Sequence, residues 1–545
     1  MWTDQTAPRS NLRIVKASAT TQRAESSPAA NGGAETPFYS ILFERPEDRR
    51  AVANEAPAFF TDTNCGQIVD AIVAGRDEYD LKPFFYGCLH RVGAIHYRHA
   101  VMRDLENPQT LACVQFFAQS MRDMRQYLGS VRKLHYKEQK QAWFLDAIEN
   151  YCDAVRTFAD ALSDLELRSA GFSGLRAHLV AYAASPEFTS LLLGAGELRV
   201  ELSKVRYCIL IDGDRFTVRR YDNEPDYSAQ VERTFEKFKQ GTVKDYRARF
   251  SEKDDMNHIE AKVLEFVARL NPAVFQALDA YCVRNDAFLD DTIVTYDREV
   301  QFYLSYLDYI GGLRERGLSF CYPRVSDSDK AVSSRGGFDI ALAHKLMKES
   351  KSVVSNHFHL KGRERILVVS GPNQGGKTTF ARMFGQLHYL AAIGCPVPGR
   401  DAQLFLFDEL FTHFEKEEKV ENLRGKLEDD LVRVHEIVGR ASARSIVILN
   451  EIFTSTTIQD EIFLSRKLME RMIEIGVLGV WVTFADELAS FGPQTVSMVS
   501  TVVPDNPAQR TFRIERRPAD GLAYALAIAA KYRVTYDAIR ERIGP

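Results

Sequence analysis

The chain has 545 residues, of which 45% are hydrophobic and 26% are charged. This composition is that of a folded globular protein, and it excludes a disordered, collagenous or fibrous chain. At roughly 100–200 residues per domain the length predicts about three to five domains. The formal net charge of −4 means that any contact with nucleic acid has to come from a local basic patch.

Eight cysteines are scattered along the sequence, without a CxxC pair or a neighbouring histidine at the spacing of metal ligands. We therefore expect buried thiols in a reducing compartment, the cytoplasm, and neither a disulfide framework nor a zinc site. No run of about 18 uncharged apolar residues occurs, so we expect no membrane-spanning segment and no membrane partner.

The N-terminal residues 1–36 are rich in Ser, Ala, Thr and Gly and show no hydrophobic period, which predicts a disordered tail. Asp4, Glu25 and Glu35 argue against a transit peptide. Residues 37–200 repeat apolar side chains at i, i+3, i+4 and i+7, as in CGQIVDAIVA, LACVQFFAQSMRDMRQYLGSVRKL and AWFLDAIENYCDAVRTFADALSDLE. This spacing predicts long amphipathic helices.

Two β-rich runs, VRYCILI and RFTVRRY, flank an Asp-Gly turn within residues 204–221. They predict a β-hairpin. We assign the hairpin to a segment of its own at 201–255, in which VERTFEKFKQGTVKDYRARF predicts a helix. Residues 256–336 return to helical sequence, including REVQFYLSYLDYIGGLRERG.

Residues 337–545 alternate short β-branched runs with amphipathic helices. Three runs predict strands, ILVVS at 366–370, SIVILNE at 445–451 and GVWVTF at 479–484. Strands separated by helices form βαβ units with parallel strands. We therefore expect a C-terminal α/β domain with a parallel-rich sheet, preceded by a mainly α-helical body that contains the hairpin.

The sequence GPNQGGKT at 371–378 fits the pattern GxxxxGK[ST] between the strand ILVVS and a helix. Such a loop presents backbone N–H groups to phosphates at a helix N-terminus, its lysine adds positive charge, and its hydroxyl binds Mg²⁺. A Gly-rich turn without a ligand is the alternative, against which the flanking strand and helix argue. ATP and Mg²⁺ are the expected cofactors, and the candidate nucleotide-binding residues of the loop are Gly371, Pro372, Asn373, Gln374, Gly375, Gly376, Lys377, Thr378 and Thr379.

A site of this type also needs an acidic residue at the end of a neighbouring strand. The strand SIVILNE ends at Glu451, which we expect to act on the attacking water, with Lys377 as the second catalytic residue. Asn450 precedes it where an aspartate is usual, and an amide brings no charge, so we expect Mg²⁺ to be held less firmly. The candidate metal-site residues are Thr378, Asn450 and Glu451. An ordinary exposed glutamate after a buried strand is the alternative for Glu451.

Four blocks in a fixed order carry a family resemblance: GPNQGGKTT, AAIGCPVPG, SIVILNEIFTSTTIQDE and VTFADEL. They resemble the ATPase domain of the MutS family of DNA mismatch-repair proteins, over roughly residues 352–543. Upstream, DREVQFYLSYLDYIGGL resembles the family's helix that leads into the ATPase, and the hairpin resembles its clamp. The resemblance implies an ABC-type P-loop ATPase behind a lever and clamp body, working as a homodimer on double-stranded DNA.

The mismatch-reading members of the family carry a reader and a connector domain ahead of the levers. Here helical sequence follows the tail directly at Phe38, so we expect both domains to be missing. Groups that read base edges or wedge a base step are then not expected, and neither is mismatch discrimination.

Two further departures from the family pattern accompany Asn450. Phe484 stands where the family has a histidine after the threonine. The signature loop corresponds to ENLRGKLEDDL at 421–431, where either Arg424 or Lys426 meets the phosphate or a solvated helix face forms. These departures predict slow or DNA-stimulated hydrolysis with nucleotide binding retained.

The segment FTSTTIQD corresponds to the loop that crosses between subunits in such ATPases. The resemblance therefore makes Thr456, Thr457 and Asp460 candidate contacts to the nucleotide of the partner subunit. Capping of the following helix is the alternative, and the two roles are compatible.

The hairpin is the best candidate for DNA contact, because it has a high density of positive charge. Its basic residues are Lys204, Arg206, Arg215, Arg219 and Arg220, against the acidic Asp212 and Asp214. An ordinary solvated β-ribbon is the alternative. A second basic cluster, VRKLHYKEQK at 131–140, is predicted to be a charged helix face.

The leading hypothesis is a MutS-like ATPase that acts as a nucleotide-dependent dimeric switch on DNA, in repair or recombination, without its own mismatch reader. The alternative is an ATP-gated protein scaffold with little hydrolysis and no DNA partner. A small-molecule kinase is a third hypothesis, against which the long helical body argues.

Overall fold

The structure is a computed structural model and describes residues 38–213, 215–223, 233–234, 256–415, 425–503, 506–519 and 536–543. Several predictions from sequence lie outside this range. They are the tail at 1–36, the helix expected in 231–250 apart from residues 233–234, Asp214 of the hairpin and Arg424 of the signature stretch.

Eight α-helices begin the described chain and are followed by a two-stranded hairpin, three further helices and then strands interspersed with helices. The α-helices are α1 Phe59–Thr63, α2 Cys65–Val73, α3 Lys82–Tyr86, α4 Val92–Leu105, α5 Pro108–Lys133, α6 Lys137–Ser163, α7 Ala170–Ala183, α8 Pro186–Ser203, α9 His258–Leu270, α10 Pro272–Arg284, α11 Asp291–Glu315, α12 Ile340–Lys348, α13 Lys377–Ala392, α14 Lys426–Arg440, α15 Ile458–Ile475 and α16 Tyr536–Ile543. The strands are β1 Tyr207–Asp212, β2 Arg215–Arg220, β3 Phe320–Cys321, β4 Arg324–Ser326, β5 Val332–Gly337, β6 Asn356–Leu360, β7 Ile366–Ser370, β8 Val397–Pro398, β9 Asp401–Phe405, β10 Leu410–Phe414, β11 Ile446–Asn450, β12 Leu478–Val482, β13 Thr495–Val503 and β14 Asn506–Arg516.

The chain divides into two compact units. Among the described residues, the first holds Phe38, 112–165 and 176–290, and the second holds 39–111, 166–175 and the described part of 291–545. The second unit therefore takes in an N-terminal helical segment together with the C-terminal α/β sequence. The five segments expected from sequence remain a prediction of how the chain divides by function.

The first unit is helical around the β1–β2 hairpin. Its core contains Phe117 stacked on Phe158 at 4.4 Å between ring centroids. Tyr281 donates a hydrogen bond to the Leu191 carbonyl at 2.6 Å, and its ring lies so close to Gly194 that a Cβ there would meet it at 2.7 Å. Glycine at 194 is what lets α8 and α10 approach each other. The hairpin and the long helices α5 and α6 expected from the sequence are confirmed, whereas CGQIVDAIVA, also predicted as a long helix, forms the nine-residue α2.

A six-stranded sheet with the order β10-β11-β12-β7-β13-β14 forms the centre of the second unit. All neighbouring pairs are parallel except β13 with β14, which are antiparallel. Leu449 and Trp481 face a core to which α14 and α15 contribute, whereas Ile448 points at Gly385 of α13. Helices thus cover both faces, which explains why the central strands are apolar without alternation. The expected parallel-rich α/β domain behind a helical body is confirmed.

The three predicted strands exist; ILVVS has the predicted bounds 366–370, and the other two have shifted ends. SIVILNE stops being a strand at Asn450, so Glu451 lies in the following turn, and the third strand covers 478–482 instead of 479–484. The sequence analysis missed β10, β13 and β14, and also a four-stranded sheet with the order β4-β9-β5-β6.

The basic cluster at 131–140 was placed wrongly on one helix, because α5 ends at Lys133 and α6 begins at Lys137. All eight cysteines are free thiols, but the expectation that they are buried holds for only three: Cys65, Cys152 and Cys395. Across the described ranges, no helix combines the length and the apolar character needed to cross a bilayer. The same residues contain no cluster of three or more His, Cys, Asp or Glu side chains suited to a metal ion.

Candidate functional site

The loop at 371–376 links the buried strand β7 to the first turn of α13. Gly371 and Gly376 have φ of +116° and +93°, which glycine adopts without strain. Gly375 has a different reason to lack a side chain, since a Cβ there would lie 2.2 Å from Oγ of Ser500. That hydroxyl donates to the Gly375 carbonyl at 2.8 Å. Ser500 on β13 thus stabilises the loop through this hydrogen bond, a role that was not predicted from the sequence.

Lys377 begins α13 and points back over the loop that precedes it. Its Nζ donates to the carbonyl oxygens of Gly371 at 3.1 Å and Pro372 at 3.2 Å. The side chain is buried, and this burial lowers the pKa of the Lys377 ammonium below its usual 10.5. The nearby carboxylate of Glu451 acts in the opposite direction, and the positive charge of Arg510 adds to the lowering. The ammonium lies at the N-terminus of α13, where an anion is bound favourably.

Glu451 follows β11 directly and faces the lysine of the loop. Its Oε1 lies 3.6 Å from Nζ of Lys377, and its side chain is 22% exposed. The residue has φ of +52°, and Phe453 two positions later has φ of +63°. Each such left-handed non-glycine residue costs about 1–3 kcal/mol, so the turn keeps this shape only because its surroundings fix it. The structure thus brings together the two residues that the sequence predicted to be catalytic.

Comparison with known proteins identifies this part of the chain. Residues 367–532 match the model of MutS domain V. The chain therefore contains a MutS-like domain V. Relatives include an endonuclease MutS2 of Thermomicrobium roseum, 30% identical over 210 residues, which are 37% of this chain and 26% of that protein. The DNA mismatch repair protein MutS of Chlorobium phaeovibrioides is 24% identical over 280 residues, 50% of this chain and 31% of that protein.

A third relative is the DNA mismatch repair protein Msh3 of Mus musculus, 28% identical over 166 residues, which are 30% of this chain and 15% of that protein. The chain thus spans less than a third of the length of each of these relatives. The resemblance seen in the sequence blocks is confirmed for the domain that contains the loop and Glu451. MutS-family members are ATPases; of these three relatives, two are named DNA mismatch repair proteins and one an endonuclease.

Asn450 ends β11 at the position where the sequence resemblance predicts a carboxylate. The side chain is 6% exposed, and within the described part of the structure its Oδ1 has no hydrogen-bond partner. A buried amide oxygen without a donor is unusual, and it is suited to accept a hydrogen bond from a water that a cation holds. Thr378, in the first turn of α13, is half-buried and carries the hydroxyl that directly follows the lysine. These groups fit a Mg²⁺ ion that is bound mainly through nucleotide phosphates and water.

Aromatic and basic side chains surround the loop, and of the three described below only Phe484 was singled out from the sequence. The ring of Phe484 lies 4.5 Å from Nζ of Lys377, and 48% of this residue is exposed. Arg510 on β14 donates through Nε to the Asn373 carbonyl at 3.2 Å. Phe512, also on β14 and 50% exposed, lies 3.7 Å from the place where a Cβ of Gly376 would be. Arg510 and Phe512 were not predicted as site residues, because the sequence pattern did not predict β14, the strand that carries them.

The three residues expected to act on the partner subunit lie in and after the turn that follows β11. Thr457 is the N-cap of α15, because its Oγ1 accepts from the Asp460 amide at 3.2 Å. The hydroxyls of Thr457 and Thr456 both donate to the Asp460 carboxylate, at 2.8 and 3.4 Å. The capping alternative is thus observed, and among the described residues none of the three contacts the loop of its own chain. Contact with a partner's nucleotide remains a prediction.

The basic residues of the hairpin region do not all lie on the hairpin. Lys204 is the C-cap of α8 and pairs with Glu201 at 2.6 Å. Arg215 and Arg219 are four residues apart on β2, so they share one face of the ribbon, and Arg220 points to the other. Arg220 donates to the Leu270 carbonyl at 2.7 Å. The exposed basic face is therefore smaller than the sequence suggested.

Proposed function

We propose that this chain is an ATP-binding MutS-like ATPase that acts as a nucleotide-dependent dimeric switch on DNA. The observation that carries the proposal is the juxtaposition of Glu451 and Lys377 across the mouth of the phosphate loop, 3.6 Å apart. The loop, the lysine and the acidic residue come from two parallel strands and one helix N-terminus, which is the arrangement that phosphoryl transfer to water requires.

In this function Lys377 binds the β- and γ-phosphates and exchanges its two loop carbonyls for phosphate oxygens. The amides of the loop around Gly375 and Gly376 donate to the same oxygens, as in other loops at helix N-termini. Glu451 accepts a hydrogen bond from a water molecule and aims it at the γ-phosphate. Thr378 and Asn450 hold Mg²⁺, which supplies neutralising charge to the phosphates when it is bound.

The dimeric part of the proposal rests on exposed apolar side chains around the site. Ile458, Phe484 and Phe512 are 74%, 48% and 50% exposed. Ile458 adjoins the cap residues Thr456 and Thr457, which are predicted to reach the partner's nucleotide. A face of this kind loses apolar surface to water on association, and a γ-phosphate covered by a second subunit is shielded from solvent.

An ATP-gated scaffold with little hydrolysis is the second candidate, and two observations favour it. Asn450 lacks the negative charge that usually binds the metal, and Phe484 places an apolar ring 4.5 Å from the ammonium of Lys377. Both groups favour retention of ATP over turnover, since neither stabilises charge that develops in the transition state.

The test is equilibrium binding and turnover of ATP, with and without homoduplex, mismatched and branched DNA. The Lys377→Ala chain should bind ATP at least tenfold more weakly at an unchanged melting temperature. Lys361→Ala, which removes an exposed lysine before β7, is the matched control. Turnover that rises with DNA supports the switch on DNA. ATP binding without turnover or DNA binding supports the scaffold, and ATP binding that survives Lys377→Ala contradicts both.

A further inference from the structure

The turn after β11 is fixed by two hydrogen bonds, which the backbone amides of its two left-handed residues donate. The Glu451 amide donates to the Val482 carbonyl at 2.9 Å. The Phe453 amide donates to Oδ2 of Asp430 at 3.1 Å, a carboxylate 23 residues earlier in the chain. Because the strained conformation persists only where its surroundings impose it, these two acceptors hold the turn that carries Glu451.

Asp430 lies in the second turn of α14 and is buried, with 7% of the residue exposed. Its second carboxylate oxygen, Oδ1, lies 2.8 Å from Nε2 of His413. Each oxygen of the buried carboxylate thus has a donor, which is the arrangement that makes an anion tolerable away from water.

His413 on β10 is itself oriented by a third side chain. Nη1 of Arg433 lies 2.9 Å from its Nδ1. A guanidinium only donates, so Nδ1 is the acceptor, and the ring proton is on Nε2, from which it is donated to Asp430. The result is a continuous chain of hydrogen bonds that runs from Arg433 through His413 to Asp430 and ends at the Phe453 amide.

A second link joins the same helix to the same turn. Oε1 of Glu415 accepts from the Thr454 hydroxyl at 3.2 Å and pairs with the ammonium of Lys426, the first residue of α14. Two links from α14 therefore converge on residues 453 and 454, directly after Glu451.

We propose that Asp430 is a positioning residue for Glu451, through which the placement of α14 sets the direction of the Glu451 carboxylate. This inference rests on the proposed ATPase function, in which Glu451 aims the water. The hydrogen bonds of Asp430 go to His413 and Phe453, and not to the phosphate loop. Its loss therefore acts on turnover and not on ATP binding. Because α14 begins at Lys426, within the stretch 421–431 expected to meet the partner subunit, a movement of this helix reaches Glu451.

The first test needs no nucleotide. Amide hydrogen exchange is followed in peptides that cover 449–457 of the full chain, for wild type, Asp430→Asn and Glu436→Gln. An asparagine at 430 cannot accept from both donors, so we expect exchange at Phe453 to become about tenfold faster. Glu436→Gln removes one charge from an exposed position of the same helix and should leave exchange unchanged. Equal exchange in wild type and Asp430→Asn overturns the inference.

The second test is a double-mutant cycle on single-turnover hydrolysis of ATP. Asp430→Asn should lower the rate about tenfold in the wild-type background and less than twofold in the Glu451→Gln background, because the carboxylate it positions is already gone. The dissociation constant of ATP should change less than twofold. Equal reductions in both backgrounds, or a loss that appears in ATP affinity, contradict a positioning role.

The two tests also separate this inference from the proposed function. A wild-type chain without ATP turnover overturns the ATPase function, whereas the exchange experiment still decides whether Asp430 holds the turn. If Asp430→Asn lowers the melting temperature strongly, Arg433→Met replaces it, since it removes only the outermost donor. We then expect exchange at Phe453 to become about threefold faster and turnover about threefold slower. Unchanged exchange and turnover in a folded Arg433→Met chain would contradict the proposed chain of hydrogen bonds.

Discussion

The ammonium of Lys377 lies 4.5 Å from the ring centroid of Phe484, so the lysine of the phosphate loop meets an aromatic face as well as its two loop carbonyls. An aromatic face attracts a cation but cannot donate a hydrogen bond to a phosphate oxygen. The contact holds the ammonium near Glu451 and contributes nothing to charge that develops on a γ-phosphate.

The first prediction follows from this contact. Phe484→His should raise the rate of ATP hydrolysis about tenfold, because an imidazole N–H then reaches the developing charge. The melting temperature should change little, since Phe484 is 48% exposed. The measurement is steady-state phosphate release, with Phe463→His, at a 60% exposed position on α15, as the control. A rate that stays constant or falls would show that Phe484 does not lie beside the γ-phosphate.

The second prediction concerns pH and follows from the burial of Lys377. Burial lowers the pKa of this ammonium in the free protein, and bound phosphates favour its charged form and raise the pKa again. Between the two pKa values ATP binding therefore takes up a proton, and ATP affinity falls as pH rises through the pKa of the free protein. Calorimetry at a series of pH values below 10.5, in two buffers of different ionisation enthalpy, measures the uptake.

Lys377→Arg is the matched control for that experiment, because a guanidinium stays charged throughout this range. It should bind ATP without proton uptake. Identical uptake in Lys377→Arg and wild type would assign the proton to another group.

The third prediction is that Asn450→Asp tightens the dependence on Mg²⁺. The amide oxygen at 450 is buried and without a donor among the described residues, and a carboxylate there adds a negative charge beside the cation. Half-saturation with Mg²⁺ at fixed ATP should fall about tenfold. Without Mg²⁺ the same variant should melt at a lower temperature and bind ATP more weakly, because the new charge is buried and repels phosphate. An unchanged Mg²⁺ titration would place the metal elsewhere.

The phosphate loop, Glu451 and the three central strands could be predicted because local sequence determines them. The sequence alone reveals glycines at fixed spacing, a lysine at the helix start and apolar runs of five residues. Ser500, Arg510 and Phe512 could not be predicted, because they reach the loop from β13 and β14, whose positions depend on pairing across the sheet. The end of β11 was misjudged by one residue, since the left-handed turn at Glu451 is imposed by Asp430 and Val482 from other elements.

The fourth prediction is that the hairpin makes salt-dependent contacts with duplex DNA. Arg215 and Arg219 share one face of β2, and their replacement by Gln should weaken binding equally for homoduplex and mismatched duplex. The slope of log K against log salt should become smaller by about two, because each of the two arginines neutralises one phosphate. Arg284→Gln, an exposed arginine at the end of α10, is the control. A loss confined to mismatched DNA would indicate base reading instead.

The last prediction is that Mg·ATP drives dimerisation through the face that contains Ile458. A bound γ-phosphate favours association because the partner subunit covers it, and association favours ATP by the same factor. Glu451→Gln slows hydrolysis and should keep the closed form, so this chain should sediment as a dimer at micromolar protein with Mg·ATP and as a monomer without it. Ile458→Lys in the same background should weaken the dimer at least tenfold.

Val283→Lys offers a control of matched exposure for that experiment, because Val283 and Ile458 are both 74% exposed. Substitutions at such positions change the free energy of unfolding by about 0.5 kcal/mol or less, so a loss of the dimer in Ile458→Lys alone comes from the interface.

The Thr457→Ala chain then separates the two roles of the cap. A lower melting temperature with intact dimerisation shows capping alone, since the lost Asp460 amide bond belongs to α15. A dimer weakened beyond what the loss of the cap explains assigns Thr457 to the partner's nucleotide, and a chain that stays monomeric with saturating ATP excludes the composite site and favours the scaffold.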